Sequence, residues 1–190
     1  MGDRKLAVLF PGIGYHCDKP LLYYAAKLAR TAGYAVLPVP YAGFPQKVRG
    51  DGGKLRASVE IAWTQAGEML RAVEWADYSD LLFIGKSIGT VVGARCATEK
   101  GLSVRSILLT PLEETFPFVT GPAIAFHGTA DPWARTGAIA AACEAKGVSL
   151  YLTEGANHSL ETGDVLKDVR TLEETMRRID GFIREEETGY

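Results

Sequence analysis

The segment Gly85-Lys86-Ser87-Ile88-Gly89 has the residue types of a nucleophile held at a tight turn. It follows the apolar run Leu81–Ile84 and precedes a stretch with helical spacing, and this context gives the G-x-S-x-G pattern its meaning. A serine at such a turn has a strained backbone and a projecting hydroxyl, and the glycines leave room for the turn. The N–H groups that start the next helix favour a developing oxyanion. The pattern therefore predicts acyl-transfer chemistry with Ser87 as nucleophile.

The same residues also match the end of a phosphate-binding loop, G-x-x-x-x-G-K-S. That loop needs a glycine five residues before Gly85, where this chain has Asp80. The residues between them, Leu81–Ile84, are apolar and strand-like, so they cannot form the open nest that cradles phosphates. We therefore set the phosphate-loop interpretation aside and expect Lys86 to be a solvated side chain beside the nucleophile.

A serine nucleophile needs a general base, and the sequence contains three histidines. His158 lies in a glycine-bearing loop after the last apolar run, and we assign it as the base. His127 ends an earlier apolar run, which favours a packed or hydrogen-bonded histidine at a strand end. His16 precedes the serine in the chain and could border the site.

Two carboxylates follow apolar runs and could orient the histidine. Asp131 lies directly after the fifth run, and Glu113 follows the fourth. Taken alone, Asp131 followed by Pro132 is typical of a turn or a helix cap. We assign Asp131 as the orienting acid because the proline holds it rigidly and its strand ends immediately before it. Glu113 remains the alternative acid.

Acyl transfer also needs two backbone N–H donors for the oxyanion. The amide of Ile88, directly after the nucleophile, supplies one. The other is expected from the loop after the first apolar run, Pro11-Gly12-Ile13-Gly14, where glycines let N–H groups face a substrate. We favour the Ile13 amide, with the Gly14 amide as the alternative.

Six short apolar runs alternate with longer stretches of helical spacing. The strands and helices that these segments predict must position the candidate catalytic residues. The runs are Leu6–Phe10, Ala35–Val39, Leu81–Ile84, Ser106–Thr110, Ala123–His127 and Ser149–Thr153. They are continuous, which suits parallel strands that are covered on both faces. The alternation predicts an α/β protein with one domain over residues 1–190 and a mostly parallel six-stranded sheet flanked by helices on both faces.

Local signals predict where two of the connecting segments begin and end. Asp18 is expected to cap the first helix, which carries Pro20 in its first turn and ends at Gly33. The glycine-rich stretch Tyr41–Lys54 is expected to be a surface loop.

Composition excludes several classes of protein. The chain has 190 residues, 47% of them hydrophobic, which is enough for one well-buried core. A net charge of -2 lacks the positive excess that drives binding to nucleic acids or anionic membranes. No apolar run is long enough for a membrane span, and the three cysteines include no close pair. We expect a cytoplasmic protein with no metal, no cofactor and no nucleic-acid or membrane partner, and the sequence makes no prediction about its oligomeric state.

Taken together, the motifs resemble the α/β-hydrolase superfamily over nearly the whole chain. They are Phe10-Pro11-Gly12-Ile13-Gly14, Gly85-Lys86-Ser87-Ile88-Gly89, His127-Gly128-Thr129-Ala130-Asp131-Pro132 and Gly155-Ala156-Asn157-His158. That family places its triad in the order serine, acid, histidine, which Ser87, Asp131 and His158 follow. The chain resembles a minimal member, because the family usually has eight strands and the first two are missing here. The usual His-Gly of the oxyanion loop is Pro11-Gly12 in this chain.

The resemblance also implies the order of the sheet. The run Ala35–Val39 would lie at one edge, next to Leu6–Phe10, followed by Leu81–Ile84 and onward. Pro38 and Pro40 agree with an edge position, because proline cannot donate to a ladder. The first strand and the nucleophile strand would then flank the point where the connections reverse direction, and ligands bind at such points.

Many members of the superfamily carry a helical lid after the fourth of these runs, where this chain has only Pro111–Pro122. We therefore expect an open site that suits small or exposed esters. Aromatic residues in the neighbouring loops could wall an apolar acyl pocket, namely Tyr15, Phe44, Phe116, Phe118 and Trp133. The expected activity is hydrolysis of a small carboxylic ester through an acyl-enzyme. Alternatives are a thioesterase or other acyl hydrolase and, in a different class, a non-catalytic binding module on the same fold.

Overall fold

A computed structural model of the chain describes residues 4–184. The strands are β1 (Lys5–Phe10), β2 (Tyr34–Pro38), β3 (Asp80–Lys86), β4 (Arg105–Leu109), β5 (Ala123–Gly128) and β6 (Ser149–Thr153). The α-helices are α1 (Pro20–Thr31), α2 (Gly52–Met69), α3 (Ile88–Glu99), α4 (Thr136–Lys146) and α5 (Val165–Arg184). Short 3-10 helices cover Leu70–Ala72, Trp75–Asp77 and Glu113–Phe118. Each strand ends within two residues of the apolar run that predicts it.

The six strands within residues 4–184 form one parallel sheet in the order β2-β1-β3-β4-β5-β6. The predicted fold class and strand order are therefore confirmed. Strand β2 lies at one edge, where Pro38 pairs with Leu9 only on its inner side. Strands β1 and β3 are neighbours in the sheet although β2 lies between them in the sequence. The connections reverse direction at this pair, so the carboxyl ends of β1 and β3 flank the switch point of the sheet.

Helices cover both faces of this sheet. On β1, Ala7 and Leu9 point to the face packed by α1 and α5, whereas Val8 and Phe10 point to the face packed by α2 and α3. Side chains alternate between the two faces along a strand, and here both faces are buried. Burial on both faces explains why the four inner strands, β1, β3, β4 and β5, are continuous apolar runs in the sequence.

One predicted helix cap and one predicted loop boundary are wrong. Helix α1 begins at Pro20 with Lys19 as its N-cap, and no side chain caps it, so Asp18 lies outside the cap position. Proline at the first helical position removes one of the N–H groups that a cap would otherwise satisfy. Helix α2 begins at Gly52, inside the stretch expected to be a loop, because the Asp51 carboxylate accepts a hydrogen bond of 3.0 Å from the Lys54 amide.

Close contact between α3 and the ends of β1 and β3 depends on two glycines. A Cβ atom on Gly89 would lie 2.0 Å from the carbonyl oxygen of Phe10. A Cβ atom on Gly85 would lie 2.7 Å from the Cα atom of Thr90. Neither contact is possible, so only glycine lets the helix start directly above the strands and turn the chain within one residue.

We expect Gly89→Ala to lower the free energy of unfolding by about 3 kcal/mol, because α3 must shift away from β1 to admit the methyl group. The matched control is Gly67→Ala, an exposed position in α2 with open space around the added atom. The control should raise stability by about 0.5 to 1 kcal/mol, since alanine is the better helix former. Urea unfolding followed by circular dichroism measures both, and equal stabilities would contradict the close contact.

Candidate active site

Ser87 occupies the single residue between β3 and α3, with φ of 56° and ψ of −123°. A positive φ is unfavourable for a serine, so the surrounding structure must hold it. The Ser87 amide donates to the Leu109 carbonyl oxygen at 3.0 Å, and the Ser87 carbonyl oxygen accepts from the Thr90 hydroxyl at 2.6 Å. These bonds fix the turn on both sides of the hydroxyl.

The His158 ring connects Ser87 to Asp131. Its Nε2 atom lies 2.8 Å from the Ser87 hydroxyl oxygen, and its Nδ1 atom lies 2.7 Å from a carboxylate oxygen of Asp131. A carboxylate only accepts hydrogen bonds, so it holds the proton on Nδ1 and leaves Nε2 free to accept from the hydroxyl. The structure brings together the three residues that the sequence singled out, each from the loop after a different strand.

Hydrogen bonds join the loops after β5 and β6, and they fix the distance between Asp131 and His158. The Ala130 amide donates to the Ala156 carbonyl oxygen at 3.0 Å, and the Gly155 amide donates to the Thr129 hydroxyl at 2.8 Å. Within its own loop, the second carboxylate oxygen of Asp131 accepts from the amide two residues later at 2.8 Å. The carboxylate is fully buried and therefore keeps one orientation.

Burial lowers the pKa of His158 below its usual value of 6.5. The hydrogen bond to Asp131 opposes this effect, while the charge of Lys86 adds to it. A lowered pKa keeps the imidazole neutral near neutral pH, which is the form that can accept a proton from a hydroxyl.

The other candidate bases and acids do not contact Ser87. One of them borders the relay, because the Nδ1 atom of His127 lies 3.7 Å from the Asp131 carboxylate oxygen that His158 contacts. His127 is fully buried, and its Nε2 atom lies 3.2 Å from the Thr136 hydroxyl. His16 is an exposed partner of Asp18 on the surface. Glu113 also lies at the surface, where it pairs with an arginine at 3.4 Å. None of these three side chains contacts Ser87 among the bonds of residues 4–184.

Lys86 is buried, and the expectation of a solvated side chain is wrong. Only 1% of it is exposed, and its Nζ atom donates to the Thr110 hydroxyl at 2.6 Å. The period of two along β3 gives the reason, because Leu82 and Ile84 point into the core beneath α1 and Lys86 follows them on the same face. Burial lowers the pKa of Lys86 to about 7.

The loop after β1 forms a tight turn against Ser87. Gly12 and Tyr15 exchange backbone hydrogen bonds of 3.1 and 3.2 Å, and a Cβ atom on Gly12 would lie 3.1 Å from that of Ser87. No hydrogen bond within residues 4–184 engages the amides of Ile13 or Gly14. Either amide is thus available for an oxyanion, as is that of Ile88 in the first turn of α3.

The aromatic side chains expected around the site divide into three groups. Trp133 stacks on the His158 ring with 5.2 Å between centroids, and Tyr15 borders a cavity of about 380 Å³ between α1 and α5. Phe44 packs against Tyr41 beside the core, with 6.1 Å between ring centroids. Phe116 is only 4% exposed and packs in the core beneath α4, so it does not wall a pocket. Phe118 is half-buried at the edge of the same core.

We also searched the described part of the chain for metal sites and for membrane-spanning helices. Residues 4–184 contain no cluster of three or more histidine, cysteine or acidic side chains that could bind a metal ion. None of the helices in that range has the length and hydropathy needed to cross a bilayer.

Comparison with solved structures identifies the class of fold. An α/β serine hydrolase homologue from Coxiella burnetii superposes with a TM-score of 0.65 and 16% identity, over 93% of this chain and 85% of that chain. The esterase Pf2001 from Pyrococcus furiosus gives 0.66 and 15%, over 96% and 81%. A serine hydrolase without a lid from Xanthomonas campestris gives 0.62 and 19%, over 95% and 81%. The chain therefore has the α/β-hydrolase fold. No protein-family model matches the sequence, and no curated protein matches it significantly.

We expect the free energy of unfolding to fall as the pH drops below about 6.5. Burial lowers the pKa of both His127 and His158, so in acid the unfolded chain binds protons that the folded chain does not. Replacement of His127 by glutamine should make this pH dependence shallower. Thermal unfolding between about pH 5 and about pH 8 measures it, and an unchanged slope in the variant would show that His127 does not contribute.

Proposed function

We propose that this protein is a serine hydrolase that cleaves small carboxylic esters through an acyl-enzyme. The observation that carries the proposal is the unbroken hydrogen-bond relay from the Asp131 carboxylate through His158 to the Ser87 hydroxyl, at 2.7 and 2.8 Å. Nucleophile, base and orienting acid within hydrogen-bond reach of one another are the signature of nucleophilic catalysis.

In the first half of the reaction, the Ser87 oxygen attacks the ester carbonyl while its proton passes to Nε2 of His158. The Asp131 carboxylate stabilises the imidazolium that forms. The negative charge on the carbonyl oxygen is met by the Ile88 amide and by the amide of Ile13 or Gly14. The tetrahedral intermediate then collapses, the imidazolium protonates the leaving oxygen, and the alcohol departs.

In the second half, water attacks the acyl group on Ser87 and transfers a proton to His158. Collapse of the second intermediate breaks the bond to the serine oxygen, which recovers its proton from the imidazolium. The carboxylic acid leaves and the relay is restored. The buried, neutral imidazole suits both halves, because it must begin each one without a proton.

Small esters are favoured because the site is open. Half of the segment Pro111–Pro122 is the 3-10 helix Glu113–Phe118, which packs against α3 and α4. The segment therefore forms no lid over Ser87. The similar structure from Xanthomonas campestris is also described as lidless. A thioester would undergo the same steps, and a panel of p-nitrophenyl esters and acyl-CoA thioesters separates the two substrate classes.

The proposed location is the cytoplasm. Cys17, Cys96 and Cys143 are all free thiols, as expected for a reducing compartment. The proposed partner is the small-molecule substrate alone.

Ser87→Ala should abolish both ester hydrolysis and covalent labelling by a fluorophosphonate probe, while the circular dichroism spectrum stays unchanged. The reason is that the probe phosphonylates only a serine that an adjacent base activates. Ser159→Ala, in the loop beside His158, is the matched control and should still be labelled. Labelling that persists in Ser87→Ala would assign the nucleophile elsewhere, and an unlabelled wild type would favour a binding module.

Asp131→Asn should lower turnover by about 10⁴-fold, as the equivalent substitution does in serine proteases, because the amide no longer enforces the reactive tautomer of His158. Glu113→Gln is the control and should keep turnover within about twofold, since its carboxylate only pairs with Arg135 at the surface. Initial rates with p-nitrophenyl acetate measure both. A large loss in Glu113→Gln alone would contradict the assignment of Asp131.

A further inference from the structure

Lys86 is an unusual neighbour for a nucleophile, because it is a buried amine without a carboxylate against it. Its Nζ atom has one hydrogen-bond partner within residues 4–184, the Thr110 hydroxyl at 2.6 Å. The Tyr15 ring lies over it, with 4.9 Å from Nζ to the ring centroid. A methionine of similar length would fill the same space without the cost of burying a polar group. Filling space therefore does not explain a lysine here.

Thr110 connects this amine to the proposed base. Its hydroxyl accepts from Lys86 and donates to the carbonyl oxygen of His158 at 3.1 Å. The Thr110 backbone has a φ of 43°, a genuine outlier for a β-branched residue. Its amide donates to the Phe126 carbonyl oxygen at 2.8 Å, which holds the strained residue in place. Strain of this kind persists only where the surrounding structure enforces it.

We propose that Lys86 is a positioning residue for His158: through the Thr110 hydroxyl it holds the main chain of the base in place. A positive charge on the Lys86 amine also opposes protonation of the imidazole. The consequence for turnover rests on the proposed hydrolase function. The two physical effects, on the loop and on the proton affinity of His158, do not depend on that function.

The charges around Lys86 agree with this role. Burial lowers the pKa of Lys86 to about 7, the Asp131 carboxylate opposes that change, and the charge of Lys19 adds to it. Tyr15 stays neutral, because burial raises its pKa to about 12. Around neutral pH Lys86 therefore exists in both forms, and its charged form acts on His158 as the pH falls.

Three titratable groups act on His158, namely Lys86 at the end of β3, His127 in β5 and Asp131 in the loop after β5. Asp131 favours the protonated ring, while Lys86 and His127 disfavour it. Removal of Lys86 leaves Asp131 and His127 in place, so the pKa of His158 should rise. The acid limb of the activity profile should then move to higher pH, since the base must be neutral.

The test compares Lys86→Met and Thr110→Val with wild type. The control is Lys100→Met, which removes an exposed lysine at the far end of α3. Proton NMR titration of the imidazole signal that is missing in His158→Ala should give a higher pKa in Lys86→Met than in wild type or the control. With p-nitrophenyl acetate, Lys86→Met and Thr110→Val should lose on the order of tenfold to a hundredfold in kcat, with KM within about threefold, because the base is misplaced rather than the substrate.

Stability provides a readout that needs no substrate. Unfolded Lys86 has a pKa of 10.5 and folded Lys86 one of about 7, so the unfolded wild type binds an extra proton between these values. Lys86→Met should therefore be more stable than wild type near neutral pH, and this advantage should shrink as the pH rises from about 7 to 10.5.

Thr110→Val gives a second route to the same answer, because it keeps the amine and removes the hydroxyl that links it to the loop. Amide hydrogen exchange in residues 156–160 should become faster in this variant and stay unchanged in the control. An unchanged pKa of His158 in Lys86→Met, or unchanged exchange and kcat in Thr110→Val, would overturn the proposal. Because the NMR, stability and exchange measurements use no substrate, their outcome is separate from whether the protein hydrolyses esters.

Discussion

The rest of the structure depends on one constraint, the reversal of the chain within a single residue at Ser87. The turn forces the serine to a φ of 56° and presses α3 against the end of β1, where only Gly89 fits. The Ser87 amide donates to the Leu109 carbonyl oxygen and the Thr90 hydroxyl donates to the Ser87 carbonyl oxygen, and these bonds hold the strained turn in place. As a result, the Ser87 hydroxyl lies at the switch point of the sheet, next to the backbone amides of the first turn of α3. The loops after β5 and β6 then need only bring a carboxylate and an imidazole to this one point.

Buried cationic side chains have different kinds of partner at the two ends of the sheet. At the amino ends of the strands, Arg105 pairs with Asp80 at 2.9 Å and also donates to the carbonyl oxygen of Phe182 in the last turn of α5 at 2.8 Å. That cluster gives the buried guanidinium a carboxylate and a backbone carbonyl oxygen as partners, as expected of a structural site. At the carboxyl ends, Lys86 has a hydroxyl instead of a carboxylate, and Thr110 is strained. Unpaired charge and backbone strain thus both lie at the end that carries the candidate active site.

Much of this arrangement can be predicted from the sequence, because it follows from local rules. Continuous apolar runs locate the strands, and the strand-to-helix context of Ser87 locates the turn above the sheet. The structure also brings Asp131 and His158 together, although their catalytic roles stay predictions. The sequence predicts an exposed Lys86, because charged residues next to turns are usually solvated. The period of two from Leu82 through Ile84 is the signal for its burial. No comparable signal distinguishes a core phenylalanine from a pocket wall in the 3-10 helix after β4.

The central claim is that Ser87 carries the acyl group during turnover. Acid quenching of the enzyme during steady-state hydrolysis of p-nitrophenyl acetate, followed by peptide mass spectrometry, tests it directly. Fragmentation must resolve Ser87 from the adjacent Lys86. We predict one acetyl group on Ser87, none on Lys86, and none anywhere on Ser87→Ala treated in the same way. Hydrolysis that continues while the acetyl group is found on Lys86, or on another residue, would contradict it.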